Sequence, residues 1–523
     1  MARAPKAKRR ARKRCRKPLK LRSRVVRRKG RRRREYYCAP PRRRRHKAEP
    51  APPPAAGLPE SPALPPPPPA ISGPPVEGVP VYDGPFGLRE AERLLWRAGF
   101  GPTPGQADAL ASFGVEGAVR SLTRPQVPEQ LIGPEPPEGR VNPLTGNGND
   151  HLWWFDRMVR TNRPLIERMT LIWHDWFATS NVGVNSVRMM LDQNEKFRSG
   201  GLGSFHQMLL NVASDGAMIR WLNKGNKKGK PNENYARESM ELFTLGADRG
   251  AYTEMDVREM ARCHTGWASD PSPDGDGRVN YRIWPPIQDQ GEKTIFGQSG
   301  NFDWADASRL CWEHPMHPSF LVDKLWGYFI PTPPDDRTRR ALEAAYTARG
   351  LVVLPLVEAI LMHPDLYRGE SMVKQPVVFA AGLARALGKG VGGALFTWTE
   401  IAGQRLFYPP NVDGWHHEAW LDTTTIRARW MLVYYLLSDR WIDMDSQDAA
   451  TYDPAETPSQ AVSRALAFWG GPPFSDASRE ALERWAAASL SGTSTTLTPS
   501  QRRAMRQNAL RQLVGASPDL QVC

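Results

Sequence analysis

Pro164-Leu-Ile-Glu-Arg-Met-Thr-Leu-Ile-Trp-His-Asp-Trp-Phe-Ala-Thr179 is apolar on nearly every face of a helical wheel, with Leu165, Ile166, Met169, Leu171, Ile172, Trp173, Trp176 and Phe177 spread around it. A helix of that kind has no side to give to water and must be buried. The segment therefore predicts a large body packed around it. On either side the apolar residues keep the helical period over Leu88–Trp96, Ala107–Leu122 (interrupted by Gly114), His151–Val159, Asn232–Leu245 and Thr253–His264, the last opened by Thr253-x-x-Asp256 in the manner of a capping box. The pattern continues over Pro318–Phe329, Thr338–Arg349, Leu354–Met362, Val377–Leu387, Thr424–Leu437, Ser459–Phe468, Ser475–Leu490 and Pro499–Val514. Strand signals are few, with Val279–Ile283 the clearest. The expected fold is mainly α: a large multi-helix globular domain over residues 86–523, within which 443–523 reads as a C-terminal helical subdomain. Long connections fall at Gly133–Asp150, Ser269–Gly300 and Gly403–Leu421.

The N-terminal region differs in kind. Residues 1–49 form a basic arm, and the first 50 residues hold 25 Lys and Arg against two acids, Glu35 and Glu49. The chain as a whole has 71 Lys+Arg and 55 Asp+Glu, so the net charge of +16 is the arm's, and the body is mildly acidic. Like charges this dense repel one another, which predicts disorder. Residues 50–85 follow with 15 prolines and read as a polyproline-like linker. The arm has the charge to bind nucleic acid or another polyanion through residues 1–47; a solvated tail, or a reading frame opened too far upstream, gives the same composition. Neither segment has the apolar centre of a secretory signal. The body's 18 Trp and 17 Phe exclude a wholly disordered chain. Its longest apolar runs, around Leu351–Met362 and Trp430–Leu437, are too short to span a bilayer. Five cysteines with no CxxC pair indicate neither a zinc ribbon nor a disulfide scaffold, although one Cys263–Cys311 bridge is open.

Seven segments in order bring a family to mind: Leu94-Leu-Trp-Arg-Ala-Gly-Phe-Gly-Pro-Thr103, Ile172-Trp-His-Asp-Trp-Phe-Ala-Thr-Ser180, Asn232-Glu-Asn-Tyr-Ala-Arg-Glu-Ser-Met-Glu-Leu-Phe-Thr-Leu-Gly246, Tyr252–Val257 with Thr265-Gly-Trp267, Gly291-Glu-Lys-Thr-Ile-Phe-Gly297, Lys324-Leu-Trp326 and Pro409-Pro-Asn-Val-Asp-Gly-Trp415. Over residues 86–440, and on toward the C-terminus, the chain resembles the bacterial family catalogued as domain of unknown function 1800. The resemblance implies a large helical domain. It implies export in many members, and a genomic neighbour resembling alkaline phosphatases and sulfatases. It implies no reaction. Relatives commonly have histidine where this chain has Trp176 and Gln288, so a family-type metal site would lack two ligands here.

The residues themselves nominate a site. On a regular helix from Asn232, the residues Asn234, Glu238 and Glu241 fall in one stripe, with Arg237 four before Glu241. Glu238 and Glu241 read either as an acid/base or divalent-metal pair, or as carboxylates tied to Arg237. His174 beside Asp175 reads as a metal ligand or as a general base set by its neighbour; the plainer reading is a core histidine. His264 reads as a metal ligand or as a buried C-terminal-turn histidine. Candidate metal ligands are thus His174, Glu238 and His264; candidate catalytic groups are Glu238, Glu241, His174, Asp175 and Asp413. In Asn411-Val-Asp413-Gly-Trp415-His416-His417-Glu418-Ala-Trp420 the polar part builds a tight turn, while Trp415, His416 and Trp420 are candidates to line a ligand cleft together with Asn234 and Arg237. Glu313-His314-Pro-Met-His317 is a weak metal pair broken by proline, and Asp270-x-x-x-Asp274-Gly-Asp276 lacks the closing glutamate of a calcium loop.

No phosphate-binding loop, nucleophile elbow or HExxH is placed where it would work, and Gly388–Gly393 follows a helix rather than a strand. Three function classes remain. The first is an envelope-associated acid/base or metal-assisted hydrolase of a polymeric or glycan-like substrate. The second is a non-enzymatic scaffold or chaperone for a phosphatase/sulfatase-like partner. The third is a polyanion binder acting through the arm.

Overall fold

In the computed structural model the apolar segment is a helix over Pro164–Trp176 in which every residue except Ile166 is buried. Its flanks belong to two different cores. Leu165, Met169, Ile172, Trp173 and Trp176 pack into one, built with helices Leu88–Arg97, Phe205–Ala213, Glu254–Cys263, His317–Gly327 and Leu354–Met362. Leu171 packs into the other, built with Asn149–Arg160, Pro376–Ala386, Thr423–Leu437, Pro458–Phe468 and Pro499–Gly515. This helix is the wall between them, which is why it has no polar face. Its one carboxylate in the first turn is answered inside the protein: Glu167 accepts from Arg198 Nε at 2.6 Å, Arg157 Nε at 2.9 Å and Trp154 Nε1 at 2.9 Å.

The structure describes residues 75–271, 278–445, 456–489 and 496–523, together with the backbone of two strands, Lys20–Arg28 and Arg31–Ala39. The chain divides into two compact units, Met1–Pro59 and Glu60–Cys523. In the first, the two strands pair antiparallel, with Lys20 opposite Ala39 and Arg28 opposite Arg31. The disorder expected for the rest of the arm, and for linker residues 50–74, lies outside the described residues. The last part of the linker is not a spacer. Val76, Val79 and Tyr82 are buried in the first core, and the Tyr82 amide donates to Met362 O at 2.8 Å, so packing begins ten residues before Phe86. Apolar side chains between the prolines account for it.

The second unit is mainly α-helical, as the periodicity predicts. Leu354–Met362 and Val279–Ile283 match to the residue, and Gly114, at φ +65°, splits Ala107–Leu122 into Gln106–Ala111 and Gly114–Thr123. Helices without a strong period, such as Val187–Gly200, Gly216–Leu222 and Trp304–Glu313, escape periodicity but carry start signals: Ser186, Asp215 and Asp303 each accept a backbone N–H at the first turn. The connection Ser269–Gly300 holds two hairpins, Trp267–Pro271 with Val279–Ile283 and Lys293–Ile295 with Gln298–Gly300. Residues 272–277, and with them the Asp274–Asp276 turn, are outside the described residues. The C-terminal segment shares the second core through Ala461, Leu466, Leu510 and Val514, and Val522 bridges to Val373. Cys263 and Cys311 are buried free thiols, so the open disulfide is not formed. No helix among the described residues is long and apolar enough to cross a membrane.

Candidate carboxylate site

Four of the seven segments that carry the resemblance, far apart in the chain, meet at the C-terminal end of the wall helix. That end delivers Asp175 and Trp176. The second segment is helical over Asn234–Glu238 and then widens to a π-helix over Ser239–Thr244, in place of the uninterrupted helix its period predicts. The widened turn is held from outside. Consecutive carbonyls at its C-terminal end each receive a side-chain donor: Leu242 O from Lys324 Nζ at 2.8 Å, Phe243 O from Trp176 Nε1 at 3.1 Å, Thr244 O from His317 Nδ1 at 3.0 Å and Leu245 O from Arg249 Nη1 at 2.9 Å. A helix end leaves exactly such carbonyls unpaired, and here tertiary contacts satisfy them. The i, i+4, i+7 stripe is thereby lost, and Asn234 is exposed at its first turn.

Lys324 comes from the third segment, in helix His317–Gly327. Besides capping Leu242 it rests 4.5 Å from the centre of the Trp176 ring, so this indole is the seat of a cation. The fourth segment is the loop around Asp413. Asp175 clasps it: Oδ1 accepts the Trp415 backbone N–H at 2.9 Å, while Oδ2 accepts the Tyr328 hydroxyl at 2.9 Å and lies 3.4 Å from His417 Nε2. Gly414 makes the approach possible. It sits at φ +97°, and a Cβ there would lie 2.2 Å from Asp175 Oδ1.

The electrostatics follow from this crowding. Burial pushes the Glu238 carboxyl up to about 7, the charges of Glu241 and Asp413 push the same way, and Arg237 opposes them. Burial pulls Lys324 down to about 8 against the attraction of Asp175 and Asp413. Among the described residues Glu238, Glu241 and Asp413 have no hydrogen bond or ion pair. Arg237, the expected partner, is engaged by Glu254 at 2.7 and 2.8 Å and by Glu233 at 3.4 Å. Asp413 thus links two neighbourhoods, acting on Lys324 together with Asp175 and on Glu238 together with Glu241; Glu238 is half-buried and Asp413 open to water. The sequence assigns no role to Lys324 or Tyr328, and reads His417 only as one of the adjacent histidines of a ligand cleft; the signal for the first is the segment Lys324-Leu-Trp326, and the closeness of the other two to Asp175 becomes visible only in the fold.

Other candidates lie elsewhere or act differently. His174 is turned away from Asp175, because adjacent helical residues point about 100° apart. It is enclosed by the rings of Trp154, Phe197, Phe407 and Trp415, its Nε2 has no partner, and burial drives it down to about 4. The dyad does not form. His264 is equally enclosed, 4.6 Å from the Tyr235 ring with both ring nitrogens unpartnered, and burial drives it to about 3. Among the described residues no three His, Cys, Asp or Glu are grouped as a metal ion needs, so the expected set of His174, Glu238 and His264 is not brought together. His317 is bonded to Thr244 O and to the Tyr346 hydroxyl, each at 3.0 Å, and so pairs with no His314. The indoles of Trp415 and Trp420 are buried in the second core and do not line a cleft; His416 is exposed beside Asn411, 3.3 Å away. Gln288 packs on Gly266, and its neighbour Asp289 pairs with Arg262 at 3.0 Å.

No curated protein and no solved structure matches the chain. The model of one family, described as a protein of unknown function and numbered DUF1800, matches residues 93–522, and the chain belongs to that family.

Proposed function

We propose that the carboxylate site is the acid–base centre of a hydrolase acting on a polymeric, glycan-like substrate such as a cell envelope supplies. One observation carries this reading: Glu238 is pushed up to about 7 while facing two carboxylates, Glu241 and Asp413, that no cation or hydrogen bond of the protein has claimed. A carboxyl raised toward neutral pH beside other carboxylates is the arrangement that acid–base hydrolysis uses. Glu238 in its acid form gives its proton to the leaving oxygen as the bond to carbon breaks. Asp413, open to water, takes the proton of the water that replaces it. Lys324 is held by Leu242 O and fixes the carboxylate geometry, and Asp175 positions the loop that carries Asp413. The scheme assigns no step to a metal; among the described residues no three His, Cys, Asp or Glu are grouped to hold one.

The test is hydrolysis of purified sacculi, chitosan and nitrophenyl glycosides by the full chain. Glu238→Gln and Asp413→Asn are each expected to lose roughly 100-fold or more in rate with unchanged circular dichroism. Turnover that persists in both variants, or no turnover of any of these substrates, sinks the reading.

A second reading, the scaffold for a phosphatase/sulfatase-like partner, is favoured by a different surface. Trp430, Tyr434, Trp441, Met505 and Leu513 are exposed together around helices Thr423–Leu437 and Pro499–Gly515, beside a cavity of about 600 Å³. Co-purification of such a partner, abolished by Trp430→Glu with Met505→Glu, supports it; no crosslinked partner removes it. The arm's polyanion reading rests on its charge. A chain lacking residues 1–47 that binds DNA as tightly at the same salt refutes it.

A further inference from the structure

A cavity of about 660 Å³ shares no lining residue with the carboxylate site. Its size is that of small-molecule pockets, roughly 300–1,000 Å³. Glu92 and Trp96 of helix Leu88–Arg97 line it with Lys374, Leu383, Trp469 and Phe474. Most of that lining is apolar; among its ionisable groups Glu92 and Lys374 are each only 4% exposed, and the C-terminal residue Cys523 lies beside them. Buried ionisable groups are normally matched by the protein around them. These are matched in part. Lys374 Nζ donates to Leu520 O at 2.8 Å and lies 3.8 Å from the centre of the Trp96 ring, while its other two N–H groups have no oxygen acceptor among the described residues. Glu92 has no hydrogen bond at all among the described residues, although its charge and that of Lys374 act on each other.

The chemistry of the missing group follows from what is unused. Two ammonium N–H groups call for an acceptor. Burial pushes the Glu92 carboxyl up to about 7, and in its protonated form it can donate as well. Burial pulls Lys374 down to about 8, which still leaves it charged at neutral pH. Charge at the floor is mixed: the Cys523 terminus and Glu92 both act on Lys374, and Arg97 Nη2 donates to the Cys523 terminus at 2.7 Å, so what the floor offers a ligand is the unused N–H groups of Lys374. Arg93, which also lines the cavity, cannot add a second cationic fork, because its guanidinium is spent on the carbonyls of Tyr367, Gly369 and Glu370. That favours a singly charged carboxylate over a phosphate, and the indole and phenyl walls favour a flat apolar body.

We propose that this cavity binds a small organic carboxylate carried on an aromatic or fused-ring body, with the carboxylate between Lys374 and Glu92 and the rings against Trp469, Leu383 and Phe474. The site is independent of the hydrolase reading and stands or falls separately.

The probe is 2-naphthoate, with 2-naphthamide as its uncharged match, titrated calorimetrically into the full chain at pH 6.5. One-to-one binding of the acid is expected, with the amide at least about tenfold weaker. Lys374→Met removes the donor and is expected to weaken the acid by about tenfold. Since a buried lysine variant can misfold, Ser371→Trp provides the second arm: Ser371 is exposed and lines the cavity, so a bulky ring there obstructs the space without touching the floor. Acid binding that is absent up to millimolar concentration, that is unaffected by Ser371→Trp, or that the amide equals, overturns the proposal.

Discussion

The clasp between Asp175 and the Asp413 loop makes a quantitative prediction. Replacing Asp175 by alanine takes the acceptor from two buried donors, the Trp415 amide and the Tyr328 hydroxyl, each bonded at 2.9 Å. An orphaned buried donor costs about 1–3 kcal/mol. Water can reach the Tyr328 hydroxyl from the side of the exposed His417 once the carboxylate is gone, so Asp175→Ala should cost about 3–4 kcal/mol rather than the upper sum. Asp175→Asn keeps an oxygen for the amide and an N–H₂ for the phenol, and should cost about 1 kcal/mol. Gly414→Ala attacks the same contact from the other partner. Its Cβ would stand 2.2 Å from Oδ1 and 3.0 Å from the Asp175 carbonyl oxygen, at φ +97°. The carboxylate cannot retreat without losing both bonds, so this variant should also cost about 3–4 kcal/mol, of which about 1–2 kcal/mol is backbone strain. In the double variant Asp175→Ala/Gly414→Ala the clash has lost its first target, so the cost should fall short of the sum by about 2 kcal/mol. Equilibrium urea unfolding of a chain starting at residue 60, followed by tryptophan fluorescence, measures all four at constant m-value. If the two single costs simply add, the two residues do not touch and the loop is positioned by something else.

Three further outcomes test the electrostatics and packing. Glu238 is pushed up to about 7 in the folded protein from about 4.5 when unfolded, so the folded state holds a proton that the unfolded chain releases, and stability falls as pH rises through that window. Glu238→Gln removes this loss; its melting point relative to wild type should climb between pH 4.5 and 7.5, by the equivalent of about 1 kcal/mol after solvent screening of the half-exposed carboxyl, and a pH-independent offset counts against the assignment. Burial alone would raise Glu167, but the hydrogen bonds and charges of Arg198 and Arg157 outweigh it and hold the carboxyl below its ordinary range, so its contribution is present above about pH 4.5 and lost as pH falls through the depressed value. Glu167→Gln strands Arg198 in the interior and should cost about 3–5 kcal/mol in the same unfolding assay; a cost below 1 kcal/mol, about that of an exposed pair, shows the network to be dispensable. Burial also pushes the Cys263 and Cys311 thiols up to about 12, so a brief iodoacetamide pulse read by peptide mass mapping should leave both unmodified until denaturant is added.

How much of this was legible in advance divides along physical lines. Apolar period carries the helices because burial repeats with the helix itself, and at Pro164–Trp176 the absence of any polar face announces a helix walled in on both sides. The capping box at Thr253 and the glycine break at Gly114 are local rules, satisfied by residues within a turn of one another, and they hold as read. The Asn232 segment shows where local rules stop. Its period is that of one regular helix, yet Lys324, Trp176 and His317 bid for its last carbonyls from other parts of the chain, Arg249 takes that of Leu245 from four residues on, and the segment opens into a π-turn.

The candidate site divides the same way. The sequence by itself determined a helical body, a basic arm of opposite charge character, and the set of polar residues worth watching, since residue type and spacing along one chain are enough for each. Only the tertiary structure decided which of them meet. It sent His174 into an aromatic enclosure and His264 against the Tyr235 ring, put Asp175 to work as a clasp, freed Glu238 and Glu241 from Arg237, and seated Lys324 on the Trp176 ring within the field of Asp175 and Asp413. Protonation and pairing depend on distances between residues remote in sequence and on how much water reaches them, and neither quantity exists until the chain has folded.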